Sequence, residues 1–237
     1  MVDFSIANRQ PFRLVADSNG RHHFGGAVDI AGLTPTGATV PVQHVISFDL
    51  GDARIPIENG IGAQRLPLFY PFKYGCGGPD MQYDVRSDNE ISILHMSDPE
   101  PDGPDGQYLQ VDTLPNETFR IEPFTYEEAR ILGFLAADAH FQPNDEDNAI
   151  LDALDINHLA KVGGYHPHIT NVPDLVCKNP DCECNGRKLY FDLLLRLPPI
   201  PIRGDDEFWY EFQGAHMSFC FGLCRCCGTV IAFNVCS

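Results

Sequence analysis

The chain has 237 residues, 43% of them hydrophobic and 21% charged, which is enough apolar material for one large core or two packed ones. Its net charge of -17 is unevenly placed: residues 1–160 hold 25 acids against 9 bases, and residues 161–237 hold 8 against 7. A chain this acidic repels nucleic-acid phosphates and anionic lipid, which leaves a basic protein as the charge-compatible partner beside plain solubility.

The 21 glycines and 19 prolines fit short strands and many turns better than a helical bundle. In chain order, Val45–Leu50 is β-prone and ends at Gly51-Asp52. Leu66–Tyr74 is aromatic and extended, with Pro67 and Pro71 arguing for an edge position. It runs into the turn Gly75-Cys76-Gly77-Gly78-Pro79. Met81–Val85 alternates apolar and polar residues, and Glu90–His95 is a further strand candidate. Residues 98–106 are proline, glycine and acid, and read as a loop.

Thr125 followed by Glu128 is a capping box, and it predicts a helix near 126–138 with Ala129, Ile131, Leu132, Phe134 and Leu135 on its apolar face. A second helix follows Pro143-Asn144, its acidic first turn (Asp145, Glu146, Asp147) suiting the positive end of the dipole, and it is expected to run to Gly163-Gly164. Strands return at 189–197, 208–212, 216–221 and 229–235. The chain thus divides into a β-rich part over 1–124, a helical connection over 125–160 and a second β part over 161–237.

A weak repeat links the two β parts. Phe24-Gly25-Gly26 precedes the strand containing Asp49, and Val162-Gly163-Gly164 precedes the strand containing Asp192. Duplication and coincidence between two β-rich halves both account for it.

Met1–Ser5 has no basic stretch leading into an apolar run, and no window approaches the roughly 18 apolar residues of a membrane span. The expectation is therefore a cytoplasmic protein with reduced thiols, in which clustered cysteines are metal ligands. Eight of the nine cysteines lie between 177 and 236. Cys224 and Cys227 have the two-residue spacing of a zinc turn, with Gly228 free to reverse the backbone, and Cys177 and Cys182 bracket an Asn-Pro turn at an accepted four-residue spacing. These four are the expected ligands of one structural Zn2+, with Cys184 as the main rival. Cys220 and Cys236 read as small core residues, and Cys226 as pointing outward.

Lys161-Val-Gly-Gly-Tyr165, the Cys177-x4-Cys182 knuckle, Leu189–Leu195, the ending Cys224-x2-Cys227-Gly-Thr-Val-Ile231 and Phe233–Ser237 resemble the YwqG-like family, bacterial proteins whose domain has no assigned function. His23-Phe-Gly-Gly26 and Ile46–Leu50 are similar to the family's upstream elements. The resemblance implies an α+β fold dominated by antiparallel sheet, with two related halves, and no reaction to borrow. Many relatives lack the cysteines, which fits a stabilising role. The sequence departs from the pattern at Tyr165-His166-Pro167, where a proline is expected directly after the aromatic residue.

Other chemistry is thinly supported. His166 and His168 could ligate metal, and His22-His23 could face a cleft, but solvated or packed histidines explain them as well. Cys76 in its glycine turn could be a nucleophile if His44 or His95 folded beside it, and this is the basis of an alternative reading as a hydrolase or thiol-dependent enzyme. No phosphate-binding loop or serine elbow is present in the sequence. The leading expectation is a zinc-stabilised protein-interaction module, of the immunity or antitoxin kind, whose acidic part contacts a basic protein.

Overall fold

A computed structural model describes residues 11–55, 61–74, 80–97, 114–137, 141–155, 159–163, 176–186, 192–198, 217–224 and 226–236. Their elements, in chain order, are β1 (Phe12–Ala16), β2 (His22–Phe24), β3 (Gln43–Asp49), β4 (Arg65–Tyr70), β5 (Met81–Ser87), β6 (Glu90–Met96), β7 (Glu117–Pro123), α1 (Tyr126–Ala137), α2 (Asp145–Leu154), β8 (Lys161–Val162), β9 (Asp192–Leu197), β10 (Met217–Leu223) and β11 (Val230–Cys236). The strands form one sheet of order β4-β3-β2-β7-β1-β8-β9-β10-β11-β5-β6, and every ladder in it is antiparallel. The expected architecture, mainly antiparallel sheet with few helices, is what these residues build. The turn at 75–79, the loop at 98–106 and the strand at 208–212 lie outside the described residues.

Local chemistry accounts for the elements. β4 lies at one end of the sheet order, where Pro67 needs no second ladder partner. Thr125 caps α1 reciprocally: its N–H donates to Glu128 Oε2 at 2.7 Å, and Glu128 N–H donates back to Thr125 Oγ1 at 3.3 Å. Asn144 and Asp147 build a second capping box at α2. α2 stops at Leu154, well short of Gly163, because Asp155 takes the left-handed conformation (φ 47°) and closes the last turn onto Asp152. The helices pack on each other through Phe124, Leu132 and Leu154, and Arg130 reaches Asp147 at 2.8 Å.

The sheet curls. Tyr83 on β5 accepts the Phe69 N–H and donates to the Pro67 carbonyl, both at 3.1 Å, and Asn234 on β11 donates to the Tyr70 hydroxyl at 2.8 Å. The Tyr70 ring sits 4.7 Å from that of Phe219 on β10. These contacts bring β4 over β5, β10 and β11 and enclose a core rich in Phe and Tyr. β11 is covered on both faces. Val230 and Ala232 join that core, while Ile231, Phe233 and Val235 pack against the cysteines. Its apolar run therefore does not alternate.

Two features bear on the repeat. Read outward from the β1/β7 pair, β2, β3 and β4 lie on one side, and β8, β9 and β10 lie on the other, followed by β11, β5 and β6. After Phe24, Gly25 (φ 64°) donates its N–H to Val45 of β3 at 2.7 Å; after Val162, Gly163 (φ 70°) donates to Leu194 of β9 at 2.9 Å.

One buried polar knot ties the first strands together. His22 Nδ1 accepts the Asp49 N–H at 3.1 Å, and Nε2 meets Asp52 Oδ2 at 3.2 Å. Burial keeps the imidazole pKa low despite Asp52, so the ring is neutral and donates from Nε2. Burial alone would raise the Asp52 carboxyl, but hydrogen bonds from Arg54, with a smaller one from His22, outweigh it and hold the pKa at about 2. The folded value lies below the unfolded value of about 3.9, so the stabilisation is complete above that pH and is lost as pH falls through about 2. Asp52→Ala should cost about 2–3 kcal/mol in denaturant unfolding at pH 7, less than for a fully buried pair because the Arg54 side chain is 44% exposed. The deficit relative to the parent should shrink as the pH is lowered toward 2.

Candidate metal centre

The four expected ligands meet. Cys177 and Cys182 lie in the segment 176–186, Cys224 follows β10, and Cys227 precedes β11. Their sulfurs all fall within 4.8 Å of one another. Cys177 and Cys227 are 3.7 Å apart, and Cys182 and Cys224 are 3.8 Å apart. A tetrahedron of thiolates at the zinc–sulfur distance of about 2.3 Å has edges of about 3.8 Å. Cys177 and Cys224 are fully buried, Cys182 is 6% exposed, and Cys227 is half-buried.

Turn geometry delivers these sulfurs. Gly228 (φ 75°) donates its N–H to the Cys224 carbonyl at 2.9 Å, and Cys224 donates to Thr229 O at 2.9 Å, which closes a tight turn at the mouth of the β10–β11 hairpin. In the other segment, Cys182 donates to Asn179 O at 3.1 Å, and Gly186 (φ 72°) donates to Cys177 O at 3.2 Å. Gln82 on β5 holds that segment from below. Its Nε2 donates to Val176 O at 2.8 Å, and its Oε1 accepts the Lys178 N–H at 2.8 Å.

A hydrogen-bonded shell surrounds Cys227. Thr229 Oγ1 lies 3.0 Å from the sulfur, donates to Asp84 Oδ1 at 2.6 Å, and accepts from Asn179 Nδ2 at 3.1 Å. Asn179 also donates to Asp84 Oδ2 at 3.1 Å. Burial raises the Asp84 pKa, opposed by Thr229 and Arg86. Asp84, Arg86, Asn179, Asp181, Cys227 and Gly228 line a cleft of roughly 210 Å³ beside the sulfurs.

Hydrogen bonds from Cys177 and Cys224, with a further one from the Thr229 backbone N–H, hold the Cys227 pKa far below the ordinary thiol value. Bonding to Cys224 and Cys227, together with burial, raises that of Cys177. A cation bound among these sulfurs would displace their protons.

The remaining cysteines divide. Cys220 is buried on β10, and burial pushes its thiol up to about 12, as fits a small core residue. Cys184, the rival ligand, is joined to Cys226 in a disulfide with Cα atoms 6.4 Å apart. Cys76, His166 and His168 lie outside the described residues, as does the Cys236 side chain. Of the histidines offered as partners for Cys76, His44 is buried with a pKa near 4. Its Nδ1 donates to Gly25 O at 2.9 Å, and its Nε2 pairs with Ser47 Oγ at 2.7 Å, so both nitrogens serve the fold. His95 is half-buried on β6, its pKa lowered by burial. His22 is tied into the Asp52 knot and does not face a cleft. Sequence reasoning missed Asp84, Asn179 and Thr229; the Asn-Pro turn that contains Asn179 was its nearest signal.

Outer-shell groups that orient metal ligands typically contribute 10–100-fold in affinity. Thr229→Val and Asp84→Asn should therefore each weaken metal retention by about that factor, measured by competition with a colorimetric chelator, while the fold persists. Any cation bound by these sulfurs should be released by acid, because thiols regain protons as pH falls. Comparison with protein-family models, curated proteins and solved structures returns no match to this chain.

Proposed function

We propose that Cys177, Cys182, Cys224 and Cys227 hold one zinc ion as a closed structural centre, and that the protein is an interaction module for a basic partner. The pair of opposed sulfur edges at 3.7 and 3.8 Å carries the metal part of this reading. Four sulfurs, joined by no nitrogen or oxygen ligand among the described residues, favour zinc over hard cations. Such an ion would fasten residues 177–182 to the β10–β11 hairpin and leave no open coordination position.

The partner reading rests on charge and on one surface. The whole chain carries -17. On α1 and α2, Glu127, Asp145, Glu146, Asp152 and Asp155 are exposed, and no Lys, Arg or His stands in the last turn of either helix. Tyr126 (79% exposed) and Phe134 (46%) stand among them. Arg130 lies over the Phe134 ring at 5.7 Å and pairs with Glu127 and Asp147, so the exposed acids outnumber the bases on these helices without excluding them. Exposed aromatics in such a predominantly acidic setting suit a protein interface whose encounter is electrostatically steered. We also read the two β parts as related halves, an interpretation supported by the mirrored strand order about β1/β7 and by the paired glycines. The YwqG-like resemblance is consistent with this architecture and adds no reaction.

Purified protein should contain one equivalent of zinc, and Cys224→Ser should lose it and unfold at lower denaturant. A basic protein should be captured from host lysate at low salt and should rebind when purified. Glu127→Lys with Glu146→Lys should weaken the pair about tenfold or more, as should raising the salt. Binding indifferent to both changes would contradict the interface.

A further inference from the structure

Six cysteines, not four, converge at this end of the sheet, and their placement follows a pattern. In Cys182-Glu-Cys184 and in Cys224-Arg-Cys226-Cys227, Cys182, Cys224 and Cys227 belong to the four-sulfur group, while Cys184 and Cys226, each two residues after an inner cysteine, lie outside it. The two outer cysteines are half-buried, and they meet. The Cys182 sulfur belongs to both sets: it lies within 4.8 Å of the other three inner sulfurs, and within 4.8 Å of the sulfurs of Cys184 and Cys226.

We propose that, with the Cys184–Cys226 disulfide reduced, Cys182, Cys184 and Cys226 form a second metal site, with the Cys182 thiolate bridging two ions. The inference rests on the four-thiolate reading above. Three thiolates of a tetrahedral shell at about 2.3 Å stand about 3.8 Å apart, so on reduction the bonded Cys184 and Cys226 sulfurs would part to that distance, while both already lie within 4.8 Å of the Cys182 sulfur. A thiolate sulfur has lone pairs for two cations, and the Cys184 N–H, 3.4 Å from the Cys182 sulfur, lends it further support. An all-sulfur set selects a thiophilic d10 cation such as zinc or cadmium. Three protein ligands leave a fourth position, open to water on the half-exposed side, so the outer ion would be exchangeable where the inner one is enclosed.

The chemistry balances with a dithiol as reductant. Dithiothreitol gives up two electrons and closes to its cyclic disulfide; the Cys184–Cys226 bond breaks, each sulfur gains a proton, and the incoming cation displaces those protons. Oxidation by the reverse exchange would expel the outer ion and leave the inner one.

The test is a count of bound ions by native mass spectrometry under anaerobic conditions with excess zinc. The parent chain should hold one ion with its disulfide intact and two after dithiothreitol. Reduced Cys226→Ser and Cys184→Ser should each hold one. With cadmium-113, the reduced parent should give two resonances, and each variant one. A count of one before and after reduction would overturn the second site and leave a fixed structural disulfide beside a sound four-thiolate centre. A count of zero in the parent would overturn both. Two ions retained in either variant would remove that cysteine from the site. Loss of both ions in both variants would assign the outer cysteines to the inner ion and likewise overturn the proposal.

Discussion

Two pairs of sulfurs, brought together across 50 and 42 residues of sequence, are the constraint on which this end of the molecule depends. Residues 177–186 contain no strand or helix, so few backbone hydrogen bonds are available to fix them. What holds them is Gln82 below, the Asn179–Asp84–Thr229 contacts beside, and the thiolate cluster above. Metal affinity at a four-thiolate site reaches about 10 kcal/mol or more, comparable with the whole stability of a typical domain. If the ion is present, it is the largest single contribution to order in this segment, and the hydrogen-bonded side chains mainly set where it sits.

The sheet supplies the platform. Because β4 folds back over β5, β10 and β11, β11 is buried on both faces, with the Phe and Tyr core on one side and the cysteines on the other. The hairpin β5–β6, early in the sequence, pairs with β11 and carries Gln82 and Asp84 to the site. The four-sulfur cluster and its hydrogen-bonded shell thus draw on residues far apart in the sequence, from 82–84 to 224–229. The helices α1 and α2, packed on each other through Phe124, Leu132 and Leu154, present the exposed acids and aromatics of the interface reading. The two functional readings occupy different parts of the fold and can stand or fall separately.

Much of this was legible from residues alone. The cysteine spacing with Gly228 pointed to the ligands, the Thr125/Glu128 box placed α1, and Pro67 marked β4 as an edge. Other features were not. β2 and β8 are three and two residues long and have no periodicity to detect. β7 does alternate, with Phe119 and Ile121 buried between Arg120 and Glu122, but its charges and Pro123 obscured it. The end of α2 turned on one left-handed aspartate. The Thr229–Asp84 contact spans 145 residues, a separation at which local pattern carries no information. Cys226 was expected to point outward; it does leave the inner four, but toward Cys184.

The most direct test of the central claim is zinc K-edge X-ray absorption on the chain carrying Cys184→Ser and Cys226→Ser, which leaves the inner four cysteines alone. A shell of four sulfurs at about 2.3 Å, with no nitrogen or oxygen, is the predicted result. A mixed shell, a higher coordination number, or a purified chain without bound metal would contradict it.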